Sequence, residues 1–148
     1  PGLTRPRSSS EGLVELIDLF PTLAELCSVK PPDDLQGRSL VPMLGDPASP
    51  GKNVAYTVVR RGQRLGKAIR SDRWRYARWP GGEELYDLKK DPGQLVNVAD
   101  DAAYVAIRKQ LGARLFEGLY AAADPRVEGR GDLFDFAPYL GGSPRFPE

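Results

Sequence analysis
NVAYTVVRRGQRLGKAIRSDRWRYARWPGGEELYDL, residues 53–88, decides the fold. Val54, Tyr56 and Val58 alternate with other residues, the period-two pattern of a half-buried strand, so Asn53 to Arg60 reads as the first strand. Arg61-Gly62 marks a turn, and Gln63 to Ser71 reads as a second strand. Trp74 to Trp79 follows as a third, with Trp74 and Tyr76 on one face. Pro80-Gly81-Gly82 interrupts it, and Glu84 to Leu88 makes a fourth. Strands this short, joined by turns this tight, predict an antiparallel meander.

Beyond the meander, Asp91-Pro92-Gly93 reads as a turn, and Asp100 or Asp101 is placed to cap a helix. Tyr104, Ile107, Leu111, Leu115 and Leu119 recur every three or four residues, while Lys109 and Arg114 fall elsewhere. This spacing predicts an amphipathic helix over about 102–122, laid across one face of the sheet. Ahead of the meander, Leu19, Leu23, Leu26 and Cys27 share a helical face, predicting a helix from about Leu19 to Ser28. Asp18 is the expected N-cap, Pro21 falls in the first turn, and Pro31-Pro32 stops the helix. Cys27 is expected to be buried there as a small hydrophobe. A second short helical segment is expected within 35–45, burying Leu40, Met43 and Leu44. The fold class is therefore α+β: about four antiparallel strands, one long packed helix, and a shorter helix in front.

Composition narrows the function classes. Of 148 residues, 41% are hydrophobic and 28% charged, ordinary for a globular domain, and a net charge of +1 gives no strong overall field. No run approaches the roughly 18 apolar residues of a membrane helix. A single cysteine rules out an internal disulfide and a cysteine-based zinc site. With no histidine, the commonest general acid–base is absent. Asp72, Asp87, Asp91 and Asp100 read as turn and cap residues. Nothing in the chain assembles a nucleophile, a metal site or a cofactor site.

Four motifs in order resemble the sulfatases of the alkaline-phosphatase-like superfamily, in the branch of iduronate-2-sulfatase and choline-sulfatase-like enzymes. They are VELIDLFPTL (14–23), LQGRSLVPML (35–44), AIRSDRWRY (68–76), and ELYDL (84–88) followed by Asp91-Pro92 and Asn97-Val98-Ala99. The resemblance implies that the chain is the C-terminal part of such an enzyme and is inactive alone. Residues 1–12 would then be the linker from an upstream catalytic domain, 13–123 the C-terminal subdomain, and 124–148 a Gly/Pro/aromatic tail. The family's nucleophile is a formylglycine made from Cys or Ser in a C/S-x-P-x-R motif. Cys27, followed by Ser28, Val29 and Lys30, does not match it. Calcium and formylglycine are expected in the parent enzyme, which would act on a sulfated small molecule or glycan after export from the cytoplasm. A phosphonate or phosphodiester hydrolase of the same superfamily is the alternative parent. A stand-alone anion- or glycan-binding module is the alternative to an enzyme part.

Residues 60–78 carry Arg60, Arg61, Arg64, Lys67, Arg70, Arg73, Arg75 and Arg78 against Asp72 alone, with aromatic residues interleaved. Such a surface suits nucleic acid, but the whole-chain charge does not, so neither nucleic acid nor membrane is expected as a partner. An exposed sheet face balanced by acids elsewhere is the simplest reading. In a sulfatase, forked guanidinium donors suit sulfate or carboxylate oxygens. Arg60, Arg61, Arg78 and Trp79, at strand ends, are the residues expected to wall the substrate pocket, unless Trp74 and Trp79 are simply core. The tail residues Phe134, Phe136, Tyr139 and Phe146 are expected to dock on something.

Overall fold
A computed structural model describes residues 7–61 and 64–123. Four strands, β1 (Ala55–Arg61), β2 (Arg64–Arg70), β3 (Trp74–Trp79) and β4 (Gly82–Asp87), form one sheet in chain order. All pairs are antiparallel, and the register sets Tyr56 against Ile69, Ile69 against Tyr76, and Tyr76 against Leu85. These four side chains therefore line one face. Helix α3 (Val105–Ala121) covers it with Leu111, Leu115 and Leu119, all buried. A 3-10 turn, Ala102–Tyr104, leads into α3, and the Asp101 carboxylate caps it by accepting from the Ala103 amide at 2.8 Å. Tyr104 meets Trp74 edge-on, at 5.8 Å between ring centres.

The outer edge of β4 is covered by a single side chain and its neighbour. Asn97 Oδ1 accepts from the Leu85 amide (2.9 Å), Asn97 Nδ2 donates to the Glu83 carbonyl (3.1 Å), and the Val98 amide donates to the Leu85 carbonyl (2.9 Å). An exposed row of backbone donors and acceptors is thereby blunted. Asp87, expected as a turn residue, does accept from the Lys89 amide. It is also a buried ion-pair partner: Arg73 grips both of its carboxylate oxygens, at 3.1 and 2.8 Å, while lying over the Trp74 ring.

In front of the sheet lie a 3-10 turn (Leu16–Asp18), α1 (Leu19–Leu26) and the short α2 (Val41–Gly45). Here three expectations are corrected. Asp18 does not cap α1 with its side chain; its carboxylate is spent elsewhere. Cys27 is exposed, as are Leu19, Leu23 and Leu26, because nothing described here covers that face; the residues α1 buries are Pro21 and Thr22. Leu40 and Met43 are only half-buried and Leu44 is exposed, since α2 touches little besides α1. The expected Arg61-Gly62 turn lies partly outside the described residues, with Arg61 itself still in β1. The tail from Asp124 lies wholly outside them.

Helix α1 ends in a Schellman arrangement. The Val29 amide donates to the Ala24 carbonyl (2.8 Å), the Ser28 amide to the Glu25 carbonyl (3.0 Å), and Ser28 sits at φ +55°. A non-glycine residue in this left-handed region costs about 1–2 kcal/mol. Part of that returns to serine through the greater unfolded-state freedom of glycine, about 0.5–1 kcal/mol. Ser28→Gly is thus expected to stabilise the chain by about 0.5–1 kcal/mol, read as a higher urea midpoint with an unchanged slope.

Candidate functional site
Because β1 and β3 run in the same direction, both end at the same side of the sheet. Arg60, Arg61, Arg78 and Trp79 are therefore all placed at one sheet end, as expected. Strand alternation then divides them. Arg61 and Trp79 fall on the face away from α3, and Arg60 and Arg78 on the face that carries it. The structure brings Arg61 to Trp79, with the guanidinium carbon 5.7 Å from the ring centre. The indole lies flat against Gly66 of β2, where an added Cβ would stand 2.6 Å from two ring carbons. Trp79 is half-buried on this open face, so it is not part of the α3-side core. A stacked guanidinium keeps its in-plane N–H donors for an oxyanion. Gly66→Ala should dislodge the indole and break this pairing, costing about 1–3 kcal/mol as an overpacked contact. The accompanying readout is a red shift of the tryptophan emission.

On the α3 face, Arg78 stands opposite Glu83. Glu83 Oε1 accepts from the Tyr76 hydroxyl (2.8 Å), its Oε2 lies 3.5 Å from Arg108 Nε, and Arg108 also donates to the Ala99 carbonyl (2.7 Å). Burial, then the Glu83 carboxylate, push the Tyr76 phenol up to about 12, so it stays a donor across the physiological range. These groups border a hollow of about 240 Å³ with Lys109 and Gly112.

A second charged cluster escaped the sequence reading. Asp18 is fully buried, and Lys52 Nζ lies 2.6 Å from its Oδ1 and 2.5 Å from Glu15 Oε2. Asp18 also accepts the amides of Glu15 and Arg38, both at 2.8 Å, and Glu15 Oε1 accepts the Tyr56 amide at 2.7 Å. Thr22 extends the network, donating to the Asp18 carbonyl (2.5 Å) and accepting the Leu40 amide (2.8 Å). One ammonium thus fastens the 15–18 turn, the 36–40 loop and the start of β1. Burial pushes the Asp18 carboxyl up, but the hydrogen bonds from Lys52, Arg38 and Glu15 outweigh it and hold the group below its ordinary 3.8. Lys52 moves the other way: burial lowers it, and its two carboxylates together raise it above 10.5. Every acceptor is engaged, so the cluster is a clamp rather than a reactive site. The signal available in the sequence was two acids three apart in an otherwise apolar run, VELIDLF.

Beside the clamp runs a groove of about 830 Å³, floored by Val54, Tyr56, Val58 and Leu119 and bordered by Ala121, Ala122 and Ala123. The Tyr56 ring packs directly on Gly118, where an added Cβ would overlap the phenol. On the outside, the 3-10 turn and α1 present Leu16, Phe20 and Leu23 at 84%, 57% and 59% exposure. Among the described residues no three His, Cys, Asp or Glu side chains gather as metal ligands, and no helix is long and apolar enough to cross a membrane.

Residues 1–120 match the protein family described as N-sulphoglucosamine sulphohydrolase, C-terminal. The chain is similar to a Delta 4,5-hexuronate-2-O-sulfatase of Bacteroides thetaiotaomicron, 31% identical over 146 residues, covering 85% of this chain and 30% of the relative. Among solved structures it superposes on a 2-O GAG sulfatase with a TM-score of 0.75 and 28% identity, over 85% of this chain and 29% of that one. It also superposes on the phosphonate monoester hydrolase of Agrobacterium radiobacter, with a TM-score of 0.54 and 30% identity, over 68% of this chain and 23% of that one. The chain spans about a third or less of the length of these relatives.

Proposed function
Since this chain belongs to the sulfatases of the alkaline-phosphatase-like superfamily, as their C-terminal region, we propose that it completes the scaffold of a sulfate-ester hydrolase whose catalytic part lies elsewhere in the protein. The observation that carries this reading is the uncovered apolar face of the 3-10 turn and α1. A helix with its leucines outward is stable only against another apolar surface, and a catalytic part of stated family and size is the natural cover. The resemblance assigns the chemistry of hydrolysis to that part, where a formylglycine would supply the nucleophile and calcium would supply positive charge for the sulfate oxygens. The residues described here do not fit calcium. The two acids that converge, Glu15 and Asp18, are already closed on Lys52.

The role left for this chain is substrate selection. Arg61 stacked on Trp79 forms one wall suited to the sulfate and carboxylate oxygens of a sulfated sugar, with Arg60 and Arg78 at the same sheet end but on the opposite face. The enzyme is read as acting outside the cytoplasm, where such glycans are met. The likeness to a phosphonate monoester hydrolase supports a second reading, in which the same wall faces a phosphonate or phosphodiester.

The test compares the 148-residue chain with the longer protein, each with calcium, on aryl sulfates, 2-O-sulfated hexuronate sugars and phosphonate monoesters. Turnover is expected from the longer protein only, and on sulfates. Hydrolysis by the pure 148-residue chain would sink the proposal. Preference for phosphonates would select the second reading. In the longer protein, Arg61→Ala and Trp79→Ala are each expected to raise KM for the sulfated sugar about tenfold, equivalent to about 1.4 kcal/mol of binding. Cleavage of a small aryl sulfate should be unaffected.

A further inference from the structure
We propose that the hollow between α3 and the β3–β4 hairpin is a binding site for one tetrahedral oxyanion, a sulfate or phosphate group. It lies on the face of the sheet that carries α3, whereas the Arg61–Trp79 wall lies on the other face. The two therefore stand or fall separately. Three observations converge on the hollow.

First, its charge is one-sided. Arg78 reaches it from β3, and Arg108 and Lys109 from the first two turns of α3. Lys67 stands beside Arg78 on the neighbouring strand. Among the described residues Glu83 is the one carboxylate on the rim. It is already engaged, by the Tyr76 hydroxyl at 2.8 Å and by Arg108 Nε at 3.5 Å. Tyr76 adds no second negative charge, because burial and then Glu83 push its phenol up to about 12. Among the described residues, neither Arg78 nor Lys109 is closed into an ion pair.

Second, the central donor is fixed in advance. Arg108 Nη1 donates to the Ala99 carbonyl at 2.7 Å while Nε faces Glu83. The guanidinium is thus held from two sides, and its Nη2 keeps its N–H donors. An arginine ordered before its ligand arrives loses little freedom on binding, and its planar fork suits oxyanion oxygens.

Third, there is room. The hollow measures about 240 Å³. A water takes about 30 Å³, so a tetrahedral oxyanion fits together with several waters. On the helix side the wall is Gly112 and Ala113, which bring little bulk. The helix backbone also comes close to the sheet here, since a Cβ added at Gly112 would stand 3.3 Å from the Tyr76 hydroxyl.

The test titrates the full 148-residue chain at constant, low ionic strength and follows the Gly112 amide by NMR. Three ligands are used: sodium sulfate, sodium phosphate and a 2-O-sulfated hexuronate disaccharide. A saturable shift is expected, with Kd about 1–10 mM for the free ions. Lys109→Gln and Arg78→Gln, both at exposed positions, should each weaken binding about tenfold. Arg114→Gln removes the same charge from an exposed position on α3 that does not border the hollow, and should change nothing. Free ions binding as tightly as the disaccharide would uphold the site with the ion itself as occupant. A disaccharide binding at least about tenfold tighter would uphold it as the seat of a glycan's sulfate group. A shift that rises without saturating, or equal weakening by Arg114→Gln, would overturn the proposal, because each reports diffuse attraction to a basic surface. Lys109 and Gly112 take no part in the Arg61–Trp79 wall, so failure here leaves the reading of that wall untouched.

Discussion
Asp18→Ala is expected to destabilise the chain by about 3–5 kcal/mol, the cost of breaking a buried ion pair from one side. The carboxylate is fully buried and makes three separate attachments: the Lys52 ammonium and the amides of Glu15 and Arg38. Removing it leaves two amides and half of an ammonium unsatisfied, and an orphaned buried donor costs about 1–3 kcal/mol. Asp18→Asn keeps the shape but turns an N–H₂ toward Lys52 or toward an amide donor, so it recovers only part of the loss. Urea unfolding of the three proteins checks the order: wild type, then asparagine, then alanine. The pH dependence follows from the same network. The Asp18 carboxyl titrates below its unfolded value, so its contribution is fully present above about pH 4 and is lost as the pH falls through the depressed folded value. The Lys52 ammonium titrates above 10.5 when folded. Its contribution is fully present below that pH and disappears only as the pH rises through the elevated value. Stability from the clamp should therefore be flat from about pH 5 to 10. The alanine variant should lose the acid limb of the wild-type curve. An acid limb of equal depth in both proteins would show that other carboxylates carry it.

The second large effect concerns the uncovered face. In the longer protein proposed above, Phe20→Asp together with Leu23→Asp is expected to abolish the proposed sulfate-ester hydrolysis and soluble assembly. Burying a leucine or phenylalanine is worth about 1.5–3 kcal/mol each. An unpaired carboxylate in the same place adds a desolvation cost on top, so the combined loss exceeds about 5 kcal/mol. In the 148-residue chain by itself the effect has the opposite sign. The two aspartates replace exposed apolar surface and should reduce self-association, seen as a smaller apparent mass in sedimentation. If the longer enzyme kept full activity with both substitutions, α1 would not be the contact surface.

The sheet was legible because its residues obey one local rule. Val54, Tyr56 and Val58, or Trp74 and Tyr76, alternate as strands do, and the third strand was read to its last residue, Trp79. The long helix was legible for the same reason, through Leu111, Leu115 and Leu119. What failed were inferences from apolar character to burial. Cys27, Leu19 and Leu23 have the spacing of a buried face, yet burial depends on a partner surface that periodicity cannot supply. Asp18 failed differently. A carboxylate before a helix is ordinarily a cap, and only the tertiary arrival of Lys52, thirty-four positions later, diverts it. The placement of the four residues proposed as a pocket wall was legible only in part. Their common sheet end follows from strand order, but the separation of Arg61 and Trp79 from Arg60 and Arg78 needs the register. The Gly66 shelf under the indole needs the pairing of β2 with β3.

Strand order in this sheet is simply chain order, and that shapes how the molecule assembles. The widest strand pairing, Ala55 with Arg70, closes a loop of only fifteen residues, whereas Lys52 must find Glu15 across thirty-seven. Loop closure grows costlier with length, and contacts near in sequence form first. The hairpins are thus self-starting, and the Lys52 clamp is a late latch thrown onto a sheet that already exists. Damage to the latch should hasten unfolding and leave the folding rate almost untouched.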